Sequence, residues 1–131
     1  MDNADRAAII KIGGNEYPLL LTTKATKEIA KKYGGLSDLG EKLMKSENFE
    51  LALDEILWLI TLLVNQPILV HNLQNPDDKQ ELITEEMMEL LTTPLDLGGY
   101  KAAIMEAMMK GTKRNVESEA SGDGEKNPKG A

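Results

Sequence analysis

The sequence predicts a mainly α-helical domain with an N-terminal β-hairpin and a disordered C-terminal tail. Three observations support this fold class. An isoleucine-rich run surrounds a glycine turn near the N-terminus, and apolar residues then recur at helical spacing as far as residue 111. The last 20 residues contain one large aliphatic side chain, Val116, and cannot bury enough surface to offset chain entropy. We therefore expect a helical domain over 1–111 and a disordered hydrophilic tail over 112–131.

The first elements are a hairpin and a capped helix. The isoleucines of 9–12 and the extended run after them flank Gly13-Gly14-Asn15, which can supply the positive φ angles of a tight turn. Pro18 cannot donate to a ladder, so the second strand is expected to be an edge there. Thr22 or Thr23 then caps a helix that ends at Gly34-Gly35.

Two further helices are expected before residue 67. Leucines at helical spacing predict one helix over 36–44. The next, over about 48–66, is apolar around most of its circumference and should be central in the fold. It carries Trp58, which we interpret as a core or rim residue. Pro67 should end this helix or open the next segment.

Capping signals predict three more helix starts. Asn75 with Pro76 is typical of a helix start, as is Thr84 with Ile83 and Met88 placed as a hydrophobic staple. Thr93 with the following proline opens the last helix, which is expected to end at Lys110-Gly111.

Composition excludes several functions. The 131 residues include no Cys and a single His, which removes thiol catalysis, disulfides and multi-His metal centres. The net charge is −7, and residues 47–96 alone contribute −10, with 11 acidic side chains and one Lys. Such a surface argues against nucleic-acid binding and favours basic partners. The polar N-terminus is unlike a targeting segment, and the most apolar run, 56–64, is shorter than the about 18–20 residues that a bilayer requires.

No catalytic, cofactor or metal site is expected. His71 lacks an orienting partner in the sequence around it, as a general base would need. Asp77, Asp78 and Glu81 lack the alternating oxygen ligands and central glycine of a calcium loop. Neither glycine pair is followed by a phosphate-loop signature, and the carboxylates of Asp54 and Glu55 point to different sides of a helix.

The last helix has two apolar faces. Residues that cluster on one side of a helical wheel can dock it on the core; they are Leu97, Tyr100, Ile104, Ala107 and Met108. Ala102, Met105 and Met109 cluster on a second side, while Gly99, Glu106 and Lys110 form a narrow polar arc. Because methionine adapts to varied surfaces, this second face is a candidate partner-binding site. The alternative is that both faces are buried in the monomer or in a homodimer.

Several stretches, spread over nearly the whole chain, carry a family resemblance. They are IGGNEYPL at 12–19, ATKEI and YGGL within 25–36, ILWLI at 56–60, LITEEM at 82–87, and AIMEAM with KG within 103–111. In this order, with a hydrophilic tail after Lys113-Arg114, the chain resembles the tail assembly chaperones of long-tailed, siphovirus-type phages and prophages of Gram-positive bacteria. These are fold-pattern residues and not a chemical signature.

The resemblance implies a non-enzymatic protein without cofactors. Such a protein binds the tape measure protein in the host bacterial cytoplasm, keeps it soluble during tail assembly, and is absent from the mature virion. Apart from the resemblance, the second apolar face of the last helix favours homo-oligomers. Many members also have a longer form, made by a programmed translational frameshift, with an extension thought to recruit the tail tube protein. Here Lys126-Asn127, with the preceding Glu, could be encoded GAA-AAA-AAC, which contains a slippery heptamer, and the gene sequence would decide this.

Two other classes remain open. One is an acidic helical interaction protein, antitoxin-like or inhibitor-like, whose tail folds on a basic partner. The other is a regulator of an enzyme that has no active site of its own. The first requires residues 112–131 for binding, whereas the chaperone hypothesis predicts that residues 1–111 suffice.

Overall fold

The protein folds as a β-hairpin packed on a set of helices. The computed structural model describes residues 7–35 and 49–122. Two strands and four helices follow one another along that part of the chain: β1 Ala7–Ile12, β2 Asn15–Leu20, α1 Thr23–Tyr33, α2 Phe49–Gln74, α3 Glu85–Leu91 and α4 Pro94–Gly122. The predicted fold class, mainly α with an N-terminal hairpin, is confirmed. The helix predicted over 36–44 and residues 123–131 of the predicted tail lie outside the described residues.

The hairpin forms where the sequence predicts it. β1 and β2 pair antiparallel, from Ala7 opposite Leu20 to Ile12 opposite Asn15. The two-residue turn has positive φ at both Gly13 and Gly14, which only glycine adopts without strain. One face of the sheet is buried through alternate residues; they include Ala8, Ile10, Ile12 and Leu19.

α4 covers the free edge of β1. The Tyr100 hydroxyl donates to the carbonyl oxygen of Lys11, and the Lys110 ammonium donates to that of Ala7 at 2.9 Å. The carbonyl groups of successive residues in a β-strand point to opposite edges. These two carbonyls lie four residues apart, so they point to the same edge of β1. An edge that could pair with a foreign strand is thereby partly capped by helix side chains.

Thr22 joins α1 to the centre of the fold. Its hydroxyl accepts from the Ala25 N–H at 3.0 Å, which is the predicted N-cap bond, and donates to the Gln66 side-chain oxygen at 2.6 Å. Gln66 is the one polar side chain in the described part of the core, and its amide nitrogen donates to the Leu62 carbonyl. Gly34, at φ 96°, ends α1 as predicted.

α2 is the central helix, as predicted, but it is longer than the sequence suggested. It contacts β2, α1, α3 and α4, and its buried residues are Ile56, Leu57, Leu59, Ile60, Leu63, Val64 and Gln66. The predicted end at Pro67 is wrong, because the helix continues to Gln74. Proline in a helix costs about 3 kcal/mol. Half-buried apolar residues at 68–70 continue the packing beyond it and offset that cost.

The helix start predicted at Asn75 is also wrong. Asn75 instead closes α2, since both its backbone N–H and its side-chain amide donate to the His71 carbonyl, at 2.8 and 2.9 Å. A turn follows, and residues 79–84 are irregular. Residues 77–81 are all polar and offer no apolar face that a helix could bury.

The last two helices begin at the predicted caps. The Thr84 hydroxyl accepts from the Met87 N–H at 3.1 Å. Thr93 and Asp96 form a reciprocal capping box in which each side chain accepts from the other's backbone N–H, at 3.0 and 3.2 Å. The predicted docking face of α4 is confirmed, since each of its five residues is buried.

The end predicted for α4 at Gly111 is wrong, because the helix continues to Gly122. Gly111 is buried against the segment before α1. A Cβ atom at this position would lie 2.9 Å from Leu21 Cδ2, closer than atoms can pack. The glycine therefore allows a close approach of α4 to Leu21 and does not stop the helix.

Candidate interaction surface

The second face of α4 is only partly open. Met109 is 66% exposed and Ala102 is exposed, but Met105 is half-buried and packs against the core. The three residues lie on one side of the helix, as their spacing in the sequence predicts. The structure adds that Met105 already has partners within the chain, so the free apolar area of this face is small.

The larger exposed apolar area lies on α3 and its flanks. Eight large apolar side chains are exposed in the described part of the chain, and five of them lie between residues 82 and 95. These five are Leu82 (47%), Met87 (44%), Leu90 (78%), Leu91 (47%) and Leu95 (88%). Exposed apolar side chains that are concentrated in one segment are a candidate interaction site in a soluble protein.

α3 divides its seven residues into three sectors. Met88 alone is buried, at 1% exposure. At about 100° per residue, the exposed apolar residues of the helix lie within one arc on one side of Met88; they are Met87, Leu90 and Leu91. The acidic residues lie within an arc on the other side; they are Glu85, Glu86 and Glu89.

Charge around these leucines is of one sign. Residues 82–96 contain four carboxylates, from the three glutamates of α3 and Asp96, and no basic side chain. Residues 77–96 carry seven acidic groups against Lys79, for a net charge of −6. We call the five exposed apolar residues and these four carboxylates the acidic–apolar patch.

Two asparagines of α2 fix the position of this patch. Asn65 brackets Ile83, donating to its carbonyl at 2.7 Å and accepting from its N–H at 2.8 Å. Asn72 brackets Gln80 in the same way, at 3.0 and 2.8 Å. Seven residues of helix rise about 10.5 Å, and three extended residues span about 10 Å. The two spacings match, so the segment that leads into α3 is held in register along α2.

A groove adjoins the patch. It has a volume of about 280 Å³ and lies between α1, α2 and the start of α3. Trp58, Leu62 and Leu69 supply most of its apolar wall, and Leu82 and Glu85 of the patch line it as well. The groove and the patch are therefore one continuous surface.

Trp58 lies at the rim of this groove, as the sequence predicts for a core or rim residue. It is half-buried, its ring meets Tyr33 edge-on at 6.1 Å, and the Lys32 ammonium lies 4.6 Å from its ring centroid. Burial, together with the hydrogen bond and charge of Glu55, raises the pKa of Tyr33 above its usual value. The phenol therefore stays protonated and holds α1 against α2.

His71 has a neighbour that sequence analysis missed. Its Nε2 lies 2.8 Å from the Asp78 carbonyl oxygen and 3.5 Å from a carboxylate oxygen of the same residue. Asp78 is largely exposed and belongs to the turn after α2, so these contacts fasten the turn. Within residues 7–35 and 49–122, no group of three or more His, Asp or Glu side chains could hold a metal ion.

One helix is long and apolar enough to cross a membrane by length and composition alone, and it spans Ala52–Gln74. The expectation that no apolar segment has this length is therefore wrong, because it assumed that the helix ends at Pro67. The central helix of a soluble protein passes the same test. Here this helix provides part of the core around which the hairpin and α4 pack.

No protein-family model matches this chain, and no curated protein and no solved structure matches it either.

Proposed function

We propose that this chain is a non-enzymatic chaperone of phage tail assembly that binds and solubilises the tape measure protein. The observation that carries the proposal is the acidic–apolar patch, where five exposed apolar side chains lie among carboxylates. A chaperone for a long, aggregation-prone chain needs exposed apolar surface to hold its client. It also needs charge of one sign to keep the complex in solution.

The remaining parts of the proposal follow from the family resemblance. The chaperone acts in the host bacterial cytoplasm, is not part of the mature virion, and forms homo-oligomers along its client. Met109 and Ala102 of α4 offer a second, smaller apolar contact for the client or for another copy. A longer, frameshifted form would recruit the tail tube protein through residues beyond Lys126-Asn127, which lie outside the described part of the chain.

Co-expression with the tape measure protein from the same genome tests this proposal. We expect the tape measure protein to move into the soluble fraction and to co-elute with this chain in a pull-down. A matched control replaces this chain with an unrelated acidic helical protein of similar size, which should leave the tape measure protein insoluble. Absence of co-elution, with a folded bait and an intact client, would refute the proposal.

An acidic interaction protein that binds a basic partner is the second candidate. The net charge of −6 over residues 77–96 favours it. This candidate requires residues 112–131 for binding, whereas the chaperone proposal requires only the folded part. Pull-downs compare the full chain with a chain that ends at Gly122, which keeps α4 whole. Loss of binding on removal of residues 123–131 favours the second candidate, and unchanged binding favours the chaperone.

A further inference from the structure

We infer that the acidic–apolar patch docks one kind of segment, a basic amphipathic helix. Such a helix carries apolar residues at i, i+3 or i+4, and i+7, with Lys or Arg beside them. This docking preference deepens the proposed function and rests on it for the identity of the client.

The first argument is the shape of α3. Its exposed apolar arc is parallel to its acidic arc, and only Met88 ties the helix to the core. Leu90 is 78% exposed and forms the edge of the apolar arc that adjoins the acidic arc, on the side away from Met88. A partner helix laid along α3 would therefore cover leucines on one side and meet carboxylates on the other.

The second argument is charge. Covering Leu90 and Leu91 also desolvates the glutamates of α3, and a buried carboxylate without a partner is costly. Residues 82–96 contain no basic side chain, and in the adjoining groove Lys24 is offset by Glu28, so the net negative charge of the patch is left for cations of the partner to compensate. Lys and Arg at the flanks of an apolar stripe supply them, and Arg can pair with a carboxylate through two bonds.

Charge also excludes the competing occupants. A second copy docked through the same patch would bring eight carboxylates together, four from each chain, without counter-charges. An anionic membrane or a nucleic acid would be repelled for the same reason. The chain's own residues 112–131 contain Val116 as their single large aliphatic side chain, so they cannot supply an apolar stripe.

The third argument is the adjoining groove. Leu82 and Glu85 belong both to the patch and to the groove beside Trp58. At about 280 Å³ the groove has room for one large apolar side chain from a helix that lies on the patch. Affinity in such complexes concentrates in one or two anchored side chains, and this groove is the place for one.

The experiment uses the full chain and two synthetic helical peptides. Both peptides have leucines at the same helical spacing, and the flanking positions are all Lys in one and all Glu in the other. Binding is measured by fluorescence anisotropy at low and high salt. The variants are Leu90→Asp and Leu95→Asp, both at highly exposed positions where the fold should tolerate the change. The matched control is Leu73→Asp, a similarly exposed position near the end of α2 and outside the patch.

We expect the Lys peptide to bind and the Glu peptide not to bind. Leu90→Asp should raise the Kd of the Lys peptide at least about 10-fold, whereas Leu73→Asp should change it less than about 2-fold. Replacing Glu86 and Glu89 by Gln should weaken binding at low salt and reduce its salt dependence. Circular dichroism confirms that each variant is folded.

Four results would overturn the inference. They are equal binding of both peptides, an equal loss in Leu73→Asp and Leu90→Asp, a dimer of the free chain that Leu90→Asp dissociates, and binding to anionic vesicles that depends on Leu90. Solubilisation of the tape measure protein, measured with the full chain and with the Leu90→Asp variant, distinguishes this inference from the proposed function. If Leu90→Asp still solubilises it, the docking face is wrong while the function stands. If the peptide results hold but the full chain does not solubilise it, the function is wrong while the docking face stands.

Discussion

α3 and α4 are both amphipathic, yet they use their apolar residues in opposite ways. α4 buries its main apolar face, from Leu97 to Met108, against the hairpin and α2. α3 buries Met88 and leaves Met87, Leu90 and Leu91 exposed. Both helices contain leucine, methionine and acidic residues, although α4 also contains Ala, Gly, Lys and Arg. Burial is what separates the two helices. Apolar residues that are buried stabilise the fold, and those that are exposed are free for a partner.

The strongest test of this contrast compares one residue from each helix. Ile104 is fully buried on α4. Replacing it with Ala should lower the unfolding free energy by about 3 kcal/mol, because the substitution leaves a cavity that no other side chain fills. Leu90→Ala should stay within about 0.5 kcal/mol. Urea unfolding measures both. A large loss in Leu90→Ala would show that α3 is packed more tightly than its exposure indicates.

The second test releases α3 from α2. Asn65→Ala removes two hydrogen bonds and leaves the Ile83 backbone groups unpaired in a half-buried position, which should cost about 1–3 kcal/mol. Asn72→Ala is the matched control and should cost less, since its bonds to Gln80 are exposed. Hydrogen exchange should rise around Ile83 and Met88 in the Asn65 variant. Equal effects of the two variants would contradict the role assigned to Asn65.

The third test compares two glycines of α4. Gly98→Ala should stabilise the protein by about 0.5–1 kcal/mol, because the position is helical and has open space around it. Gly111→Ala should destabilise it by about 1 kcal/mol, since the added Cβ collides with Leu21. Thermal unfolding distinguishes the two signs. A gain in both variants would mean that α4 and Leu21 can separate at no cost.

The smallest expected effect is the response to alkaline pH. Burial raises the pKa of Tyr33, with a further contribution from Glu55, and burial with the charge of Asp96 raises that of Tyr100. A pKa raised in the folded state gives stability that is present below the unfolded value, about 10, and is lost as pH rises beyond it. Unfolding free energy should therefore fall above that pH, and Tyr33→Phe should reduce the fall. A fall of the same size in the variant would exclude Tyr33 as its source.

Local signals predicted much of the fold. The turn at Gly13-Gly14, the caps at Thr22, Thr84 and Thr93, and the docking face of α4 depend on residues that are close in sequence, so they are visible there. The errors at Pro67 and Gly111 arose where packing with distant residues outweighed a local helix-breaking signal. At Pro67 half-buried apolar residues follow the proline and continue the packing of α2, whereas Gly111 itself packs closely against Leu21.

The acidic–apolar patch was missed for a related reason. The sequence does not show whether Leu90, Leu91 and Leu95 are buried, and only the structure shows that α3 buries Met88 alone. A signal was available: several leucines among acids, within a segment broken by Thr92-Thr93 and Pro94. The paired hydrogen bonds from Asn65 to Ile83 and from Asn72 to Gln80 had no such signal, since they join residues 18 and 8 positions apart.

The bonds from α4 to β1 have a consequence for the order of synthesis. They join Tyr100 to Lys11 and Lys110 to Ala7, across 89 and 103 positions of the chain. On the ribosome, the hairpin therefore emerges long before the helix that covers its edge. Until α4 is made, the outer edge of β1 can pair with the same edge of a neighbouring nascent chain. Slow synthesis at any point between the hairpin and the last helix should thus promote aggregation, because it prolongs the time for which this edge is uncovered.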